Sequence, residues 1–242
     1  MNAKNTVDSI VEQIRNWFDK NGPKASAVLG ISGGKDSSVT AALLVKALGK
    51  DRVIGVLMPN GEQSDIEDSY MVCKLLDIKH YVVNIADAVK GLEDRLGALM
   101  PLSKDAIINI PPRVRMTTLY AIAQSLPNGG RVINTCNRSE NYVGYSTKFG
   151  DAAGDFSVLG NFLVREVLAI GDELGLPGEL VHKAPSDGLC GKTDEDNLGF
   201  TYDFLDSYIS GEQVSDMKAV EEIERRHRLN LHKEELMPTV KK

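Results

Sequence analysis

Apolar residues near the start of the chain recur at intervals of three and four positions, which is the spacing of one face of an α-helix. These positions are Val7, Ile10, Val11, Ile14, Trp17 and Phe18. The sequence Asn21-Gly22-Pro23 follows, and glycine and proline in this order are a typical helix stop. The pattern predicts an opening amphipathic helix that packs on the core.

Short apolar runs and helical patterns then alternate along the first half of the chain. The runs predict strands over 25–31, 52–58, 79–85 and 131–135, and the intervening patterns predict helices over 37–48, 65–76, 86–99 and 114–126. The last of these helices is expected to start after Pro111-Pro112, because proline is favoured in a first helical turn. Beyond residue 135 the chain is rich in glycine and helical patterns, and 180–183 is the one further strand candidate. The predicted fold class is α/β, a single doubly wound domain over 1–242 with a mostly parallel sheet flanked by helices and a helical C-terminal half.

Composition and charge narrow the functional classes. The chain has 242 residues, 42% hydrophobic and 26% charged, which is typical of a globular protein. A formal net charge of -6 argues against capture of a nucleic-acid backbone. No stretch of eighteen residues lacks a charge, and the N-terminus has no signal-peptide pattern, so we expect a cytoplasmic protein without membrane contact. Cys73, Cys136 and Cys190 show no metal-binding spacing and are expected to be reduced thiols.

The segment from Gly30 to Ser38, GISGGKDSS, joins the first predicted strand to its helix. Glycines let a backbone approach an anion, and a helix start offers unpaired N–H groups, so phosphate is the natural ligand. The segment is not a Walker A loop, which requires Ser or Thr after Gly-Lys, and Asp36 stands there. Ser32, Asp36 and Ser37 are suited to hold Mg²⁺ against phosphates. The alternative is an ordinary glycine-rich turn in which Asp36 and Ser37 only cap the helix.

Three further blocks carry polar residues in loops. The first runs over 134–140 after the fourth strand, and it places Thr135 and Glu140 at the sheet edge that carries the glycine-rich loop. The second runs over 144–151, with Asp155 beyond it. The third starts at Lys183, runs to residue 189 and continues through 193–195 and 198–199.

The Ser-Gly-Gly-x-Asp-Ser pattern after a strand resembles the pyrophosphate loop of the adenine-nucleotide α-hydrolase superfamily. The four blocks, in this order and spacing, resemble the ammonia-dependent NAD synthetase family over nearly the whole chain. The resemblance implies that deamido-NAD, ATP and ammonia give NAD, AMP and pyrophosphate through an adenylated nicotinate carboxylate. It also implies Mg²⁺ as cofactor and a homodimer. Because 242 residues leave no room for a glutaminase domain, the implied nitrogen source is free ammonia or ammonia delivered by another protein.

The resemblance also assigns roles to individual residues. The implied ATP contacts are Gly30, Ile31, Ser32, Gly33, Gly34, Lys35, Asp36, Ser37, Met58, Thr135 and Ser186. The implied deamido-NAD contacts are Arg113, Lys148, Asp151, Asp155, His232 and Lys233. Asp36 and Glu140 would bind the metal, while Asp36, Lys35 and Lys183 form the catalytic group, in which a lysine offsets charge on the bridging oxygen. Arg113 and Arg115 lie two positions apart on one predicted helix, so only one of them is expected to face the site.

The sequence departs from the family pattern at one implied ATP contact. Many members carry a Pro-Leu-x-x-Leu-x-Lys run after the Asp155 position, whereas this chain has Val158 for the proline and Val164 for the lysine. Arg165, the next residue, could replace this lysine only if its side chain reached around the helix, because successive positions point about 100° apart. Two other functions stay open: another adenylating enzyme that forms an amide or thio product, and a non-catalytic nucleotide sensor. For Lys148, Lys183 and His232 the plain alternative is a solvated surface side chain.

Overall fold

A computed structural model describes residues 1–183, 193–235 and 238–240. Its strands are β1 (Ser26–Gly30), β2 (Val53–Leu57), β3 (Lys79–Val82), β4 (Gly130–Asn134) and β5 (Phe156–Ser157). Its α-helices are α1 (Ala3–Asn21), α2 (Lys35–Leu48), α3 (Ile66–Leu75), α4 (Ala86–Gly97), α5 (Lys104–Ser125), α6 (Arg138–Val143), α7 (Val164–Glu173), α8 (Gly178–Val181), α9 (Asp194–Leu198), α10 (Tyr202–Ile209) and α11 (Met217–Glu234). None of the helices in these ranges has the length and apolar character needed to cross a membrane.

The strands form one parallel sheet in the order β3-β2-β1-β4-β5. Val28 of β1 pairs with Ile54 on one side and with Val132 on the other, so β1 lies at the centre. The chain builds outward from β1 to β3 and then returns to the other side of β1. A crevice opens where such an order reverses, at the carboxyl ends of β1 and β4. The prediction of an α/β parallel sheet with a helical C-terminal half is confirmed.

Alternate side chains of the sheet pack on two helical layers. Ala27 and Leu29 of β1 belong to a core with α1, α2, α3 and α7, while Val28 belongs to a second core with α4 and α5. A third apolar cluster joins α6 to α9, α10 and α11. The opening helix packs as its spacing predicts, since Val7, Ile10, Val11, Ile14 and Phe18 are all buried. Helices on both faces make the sheet doubly wound.

Two sequence predictions about elements are wrong, and one further element was not predicted. Helix α5 begins at Lys104 rather than after Pro111-Pro112, because the Ser103 hydroxyl caps it by accepting from the Ala106 N–H (3.2 Å). Both prolines lie inside the helix, where each removes a backbone hydrogen bond. The strand candidate at 180–183 is mainly helix α8, and the two-residue β5 was not predicted.

Two cysteines lie in the described ranges, and both are buried free thiols. Burial raises the pKa of Cys73 to about 11. Burial also raises the pKa of Cys136, and the nearby charges of Glu140 and Asp151 add to the effect. These two thiols are therefore unreactive, as expected for reduced core cysteines. Cys190 lies outside the described residues.

Candidate active site

The glycine-rich loop leaves the carboxyl end of β1 and closes on itself through its own hydroxyls. Ser32 and Ser37 place their Oγ atoms 3.1 Å apart, and the Ser32 N–H donates to Ser37 Oγ (3.3 Å). The Gly34 N–H donates to Ser32 Oγ (3.3 Å), while Ser37 Oγ is also within bonding distance of the Gly34 carbonyl (3.1 Å). These bonds fix the loop in the shape of a shallow anion cradle ahead of α2.

Position 33 accommodates only glycine. Its φ is +80°, and a Cβ there would lie 2.6 Å from Asp68 Cβ and 2.9 Å from the Ser69 backbone nitrogen. The loop therefore packs directly against helix α3, and no larger residue fits.

The two acids implied as metal ligands are connected through one buried side chain. Asp36, in the first turn of α2, accepts at Oδ1 from Asn137 Nδ2 (3.0 Å) and at Oδ2 from Lys35 Nζ (2.9 Å). The Asn137 Oδ1 in turn accepts the Glu140 N–H (3.0 Å) and caps helix α6. Asn137 is fully buried (0% exposed), so it fixes the start of Glu140's helix relative to Asp36.

Charge is concentrated around Lys35, which is only 5% exposed. Burial opposes its charged form, but the fields of Asp36, Glu140 and Asp194 outweigh burial and raise the pKa of Lys35. Burial and the neighbouring Asp36 charge raise the pKa of Glu140, which Lys35 partly opposes. The Lys35 Nζ also lies 5.5 Å from the centre of the Tyr202 ring. The Lys35 ammonium thus pairs directly with Asp36 and lies in the field of two further acids, Glu140 and Asp194.

The donor set fits Mg²⁺. Among the described residues, no group of three or more His, Cys, Asp or Glu side chains is placed to hold a metal by itself. Mg²⁺ usually takes one or two carboxylates and completes its octahedron with phosphate oxygens and water. Asp36 and Glu140, next to a phosphate cradle, supply that number of carboxylates. The arrangement therefore suits a metal that arrives together with a nucleotide.

Two further implied ATP contacts, Met58 and Thr135, and the implied catalytic Lys183 lie near the loop. Met58 follows β2, and its Cε lies 3.2 Å from where a Cβ on Gly30 would stand. Thr135 is half-buried directly after β4, at the same sheet edge. Lys183 pairs with Asp65 Oδ2 (3.0 Å) and Asp68 Oδ2 (2.5 Å) on the α3 side of Gly33. Ser186 lies outside the described residues.

A cleft of about 370 Å³ opens at the ends of β4 and β5. Among its lining residues are Asn134, Arg138, Asp155, Ser157 and Lys233. Two of these, Asp155 and Lys233, are implied deamido-NAD contacts. No hydrogen bond or ion pair of the Arg138 guanidinium appears among the described residues, which leaves it available to an anionic ligand.

The loop over 144–151 is tied to helix α11. Lys233 Nζ donates to the carbonyls of Gly144 (2.6 Å) and Ser146 (2.7 Å), and Lys148 Nζ donates to the His232 carbonyl. Burial lowers the pKa of Lys233. The structure thus brings Lys148, His232 and Lys233 together. Their hydrogen bonds hold the 144–151 loop against α11, and of the three residues only Lys233 lines the cleft.

Asp151 and Asp155 hold backbone groups. Asp151 Oδ1 accepts the Thr147 N–H (2.8 Å). Asp155 Oδ2 accepts the Val132 N–H (2.7 Å), and its own N–H donates to the Val132 carbonyl (2.7 Å). The Tyr120 hydroxyl donates to Asp155 Oδ1 (3.2 Å). Both acids therefore support the walls of the cleft.

The two arginines of α5 differ as expected for residues two positions apart. Arg113 is exposed and its Nε donates to the Lys148 carbonyl (3.3 Å). Arg115 is half-buried, donates from Nε to the Met58 carbonyl (3.1 Å), and has its pKa lowered by burial. Arg115, to which the sequence assigned no role, therefore lies closer to the nucleotide side of the site.

Arg165 does not take the place of a lysine at 164. Its Nη2 donates to Ser210 Oγ (2.6 Å) and pairs with Glu212 Oε1 (2.7 Å), while Val164 is buried. The guanidinium is held at the surface by α10 and the loop that follows it. The implied ATP contact at this position has no counterpart in Arg165.

Asn137 and Arg138 were also missed, although both stand in a block that the sequence singled out. The signal for Asn137 was present, since Asn followed three residues later by Glu is a capping-box pattern. Nothing in the sequence marks its bond to Asp36, which is 101 positions away. Arg138 is recognisable only from the cleft that it lines.

Comparison with known proteins identifies the family. The family model described as NAD synthase matches residues 6–241. The NH(3)-dependent NAD(+) synthetase of Archaeoglobus fulgidus is 35% identical, with 100% of this chain and 98% of that protein covered. The enzyme of the same name from Pyrococcus furiosus is 41% identical over 86% of this chain and 78% of its own length.

Solved structures share the fold. The NMN synthetase of Francisella tularensis superposes with a TM-score of 0.91 at 35% identity, covering 99% of both chains. The NH3-dependent NAD synthetase of Campylobacter jejuni superposes with a TM-score of 0.82 at 23% identity over 100% of both chains, which shows the common fold. By the match over nearly its whole length, this chain belongs to the NAD synthase family of ATP-dependent ligases that form a C–N bond.

Proposed function

We propose that this protein amidates deamido-NAD with free ammonia, using ATP and releasing NAD, AMP and pyrophosphate. The observation that carries the proposal is the link from Asp36 through Asn137 to Glu140, beside the anion cradle of Gly33 and Gly34. The relatives named NH(3)-dependent NAD(+) synthetase support the choice of substrate and nitrogen source. A non-catalytic sensor would not need two acids held together at a phosphate loop.

ATP is assigned to the crevice at the ends of β1, β2 and β4. The segment from Gly30 to Ser37 would hold the phosphates, with Met58 on the adenine side and Thr135 and Ser186 as further contacts. Asp36 and Glu140 would hold Mg²⁺, which when bound withdraws electron density from the phosphoryl oxygens. Lys35 belongs to the loop itself, and Lys183 pairs with two acids on the α3 side of Gly33; each can offset charge on the departing pyrophosphate once it leaves its acidic partners.

The pyridine nucleotide is assigned to the cleft at the ends of β4 and β5. The Arg138 guanidinium, which has no partner in the described part of the chain, is available there for a carboxylate or phosphate. Lys233 and Asp155 line the same cleft, and Asp151 supports its wall. Arg113, Lys148 and His232 lie around its rim on α5, the 144–151 loop and α11.

The chemistry follows from these positions. An oxygen of the nicotinate carboxylate attacks the α-phosphorus of ATP, the bond from that phosphorus to the bridging oxygen breaks, and pyrophosphate leaves with the electron pair. Ammonia then attacks the carboxyl carbon of the acyl adenylate, AMP departs, and the new amide nitrogen releases one proton. The protein contributes orientation and charge rather than a covalent intermediate.

A homodimer is part of the proposal. Exposed apolar side chains are concentrated on α4, the α4–α5 loop and the start of α5: Leu92, Leu96, Leu99, Met100, Ile107 and Ile108. A monomer rarely leaves such a set exposed. Sedimentation should show a dimer, and Leu96→Glu with Ile108→Glu should give a monomer. A wild-type monomer at micromolar concentration would refute this part of the proposal.

A second substrate is supported by one specific observation. The Francisella tularensis structure that superposes over 99% of both chains is an NMN synthetase. Nicotinate mononucleotide carries the same carboxylate as deamido-NAD but lacks the adenylate half. The reaction centre can serve either compound, so the ratio of kcat/KM for the two decides which is the physiological substrate.

The deciding experiment measures products. Purified protein with Mg²⁺, ATP, ammonium and either deamido-NAD or nicotinate mononucleotide should form the amide together with AMP and pyrophosphate, and glutamine should not replace ammonium. Asp36→Asn should abolish turnover; because it also removes the acid that pairs with the buried Lys35 ammonium, circular dichroism must show that the variant is folded. Formation of ADP, or no pyrophosphate release with either substrate, would contradict the proposed function and favour another adenylating enzyme or a sensor.

A further inference from the structure

The proposed reaction does not explain why the buried ammonium of Lys35 is paired with Asp36 in the absence of nucleotide. We propose that in the nucleotide-free protein Lys35 acts as the built-in counter-ion of the acidic cluster Asp36, Glu140 and Asp194, and that it excludes divalent metal until ATP binds. This inference rests on the proposed function, because it takes Asp36 and Glu140 as the metal ligands. It adds an order to the binding steps: the metal enters with the nucleotide and not before it.

The position of Lys35 is the first argument. Its Nζ lies 2.9 Å from Asp36 Oδ2, the atom of Asp36 that Asn137 does not occupy. Each carboxylate oxygen has two lone pairs, so the bonds to Asn137 and Lys35 leave room for a metal, but the charge of the ammonium at Asp36 Oδ2 favours its displacement when a metal binds there. The ammonium and a divalent ion would otherwise share one oxygen and repel each other at close range.

The surroundings of the ammonium are the second argument. The side chain is almost completely enclosed, and the Tyr202 ring faces the Nζ at 5.5 Å. The Tyr202 hydroxyl contacts Asp194 Oδ2 (3.4 Å), and the Tyr145 hydroxyl donates to Asp194 Oδ1 (3.2 Å). A buried charge is stable only when it is paired; here Asp36 supplies the direct partner, and the Tyr202 ring and the nearby charges of Glu140 and Asp194 add to it. The pocket is therefore organised around a cation that the chain itself provides.

ATP changes this balance. The triphosphate adds several negative charges next to Gly33 and Gly34, so both a metal and the ammonium then have partners. Lysine has a flexible four-carbon stem, and its head can turn from Asp36 to a phosphate oxygen without movement of the backbone. One residue thus holds the acids together before binding and neutralises phosphate afterwards.

The inference is tested by metal binding without turnover. Mn²⁺ is used as the probe, its free concentration is read by electron paramagnetic resonance, and the nucleotide is a non-hydrolysable ATP analogue. Wild-type protein should bind Mn²⁺ at least tenfold more weakly without the analogue than with it. In Lys35→Met the nucleotide-free protein should bind Mn²⁺ at least tenfold more tightly than wild type, and Mn²⁺ should raise its Tm.

Lys46→Met is the matched control, because Lys46 is exposed on the same helix and has no ion pair in the described structure. It should behave as wild type, and Lys35→Arg, which keeps the charge, should still exclude the metal. Equal Mn²⁺ affinity in wild type and Lys35→Met would overturn the inference. If Lys35→Met does not fold, equal affinity of wild type with and without the analogue overturns it instead. Failure of the amidation assay is a separate result and would count against the proposed function alone.

Discussion

Replacement of Asn137 tests how the two acidic ligands are held together. Asn137→Ala removes a helix cap, which costs about 0.5–2 kcal/mol, and a hydrogen bond to a charged group, which contributes about 1.5–3 kcal/mol. We therefore expect the free energy of unfolding to fall by roughly 2–5 kcal/mol. Asp36, which loses a partner at 3.0 Å, should also hold metal and nucleotide less well, so kcat/KM for ATP should fall at least about tenfold.

Asn2→Ala is the matched control. Asn2 caps α1 by accepting from the Asn5 N–H (3.0 Å), but it is exposed and contacts no acid of the site. It should lose about 1 kcal/mol and keep full activity. Urea unfolding gives both free energies, and the difference between the variants isolates the Asn137–Asp36 bond. Equal losses of stability in the two variants, with unchanged turnover in Asn137→Ala, would refute the reasoning.

Three further predictions follow from the same geometry. Gly33→Ala should lower the free energy of unfolding by more than Gly49→Ala. Both glycines have positive φ, but only the new Cβ at position 33 would clash, at 2.6 Å from Asp68 Cβ. Urea denaturation midpoints measure both losses, and equal shifts would contradict this prediction. Arg138→Ala should raise KM for the pyridine nucleotide about tenfold and leave KM for ATP unchanged, since one charge-assisted hydrogen bond is lost; a change confined to ATP would place Arg138 elsewhere. Burial raises the pKa of Glu140, so its ionised, metal-binding form is lost as the pH falls through that raised value. The apparent affinity for Mn²⁺ in the presence of nucleotide should therefore increase with pH, and a flat profile would count against Glu140 as a ligand.

Local signals made the strand–helix units predictable. The stop at Gly22 and the close of α2 at Gly49 are both observed. Gly49 has a φ of +84°, which glycine adopts with little strain because it lacks a Cβ. The start of α5 was misplaced because Pro111-Pro112 resembles a first turn, while the actual signal is the Ser103 cap eight residues earlier. The strand β5 has two residues, and its pairing with β4 is a tertiary contact without a pattern of its own.

The candidate site divides in the same way. The blocks that bear Asp36 and Glu140 could be found along the chain because each is a loop after a strand, and parallel strands end at one edge. Their connection through Asn137 could not be predicted, because the bond from Asn137 to Asp36 joins residues 101 positions apart. The same holds for Lys183, whose partners on α3 lie 115 and 118 positions away. Long-range partners depend on packing that no local pattern encodes.

The bonds of Asp155 affect how loss-of-function variants at this position should be read. Its carboxylate accepts the Val132 N–H and its own N–H donates to the Val132 carbonyl. Asp155 directly precedes β5, so these two bonds replace the strand pairing that β4 would otherwise lack at Val132. An alanine scan would record Asp155 as essential whether or not it ever touches a ligand, because the edge of the sheet would fray. Only a variant that keeps the Val132 bond, assayed for affinity as well as for turnover, can separate a scaffold defect from a lost contact.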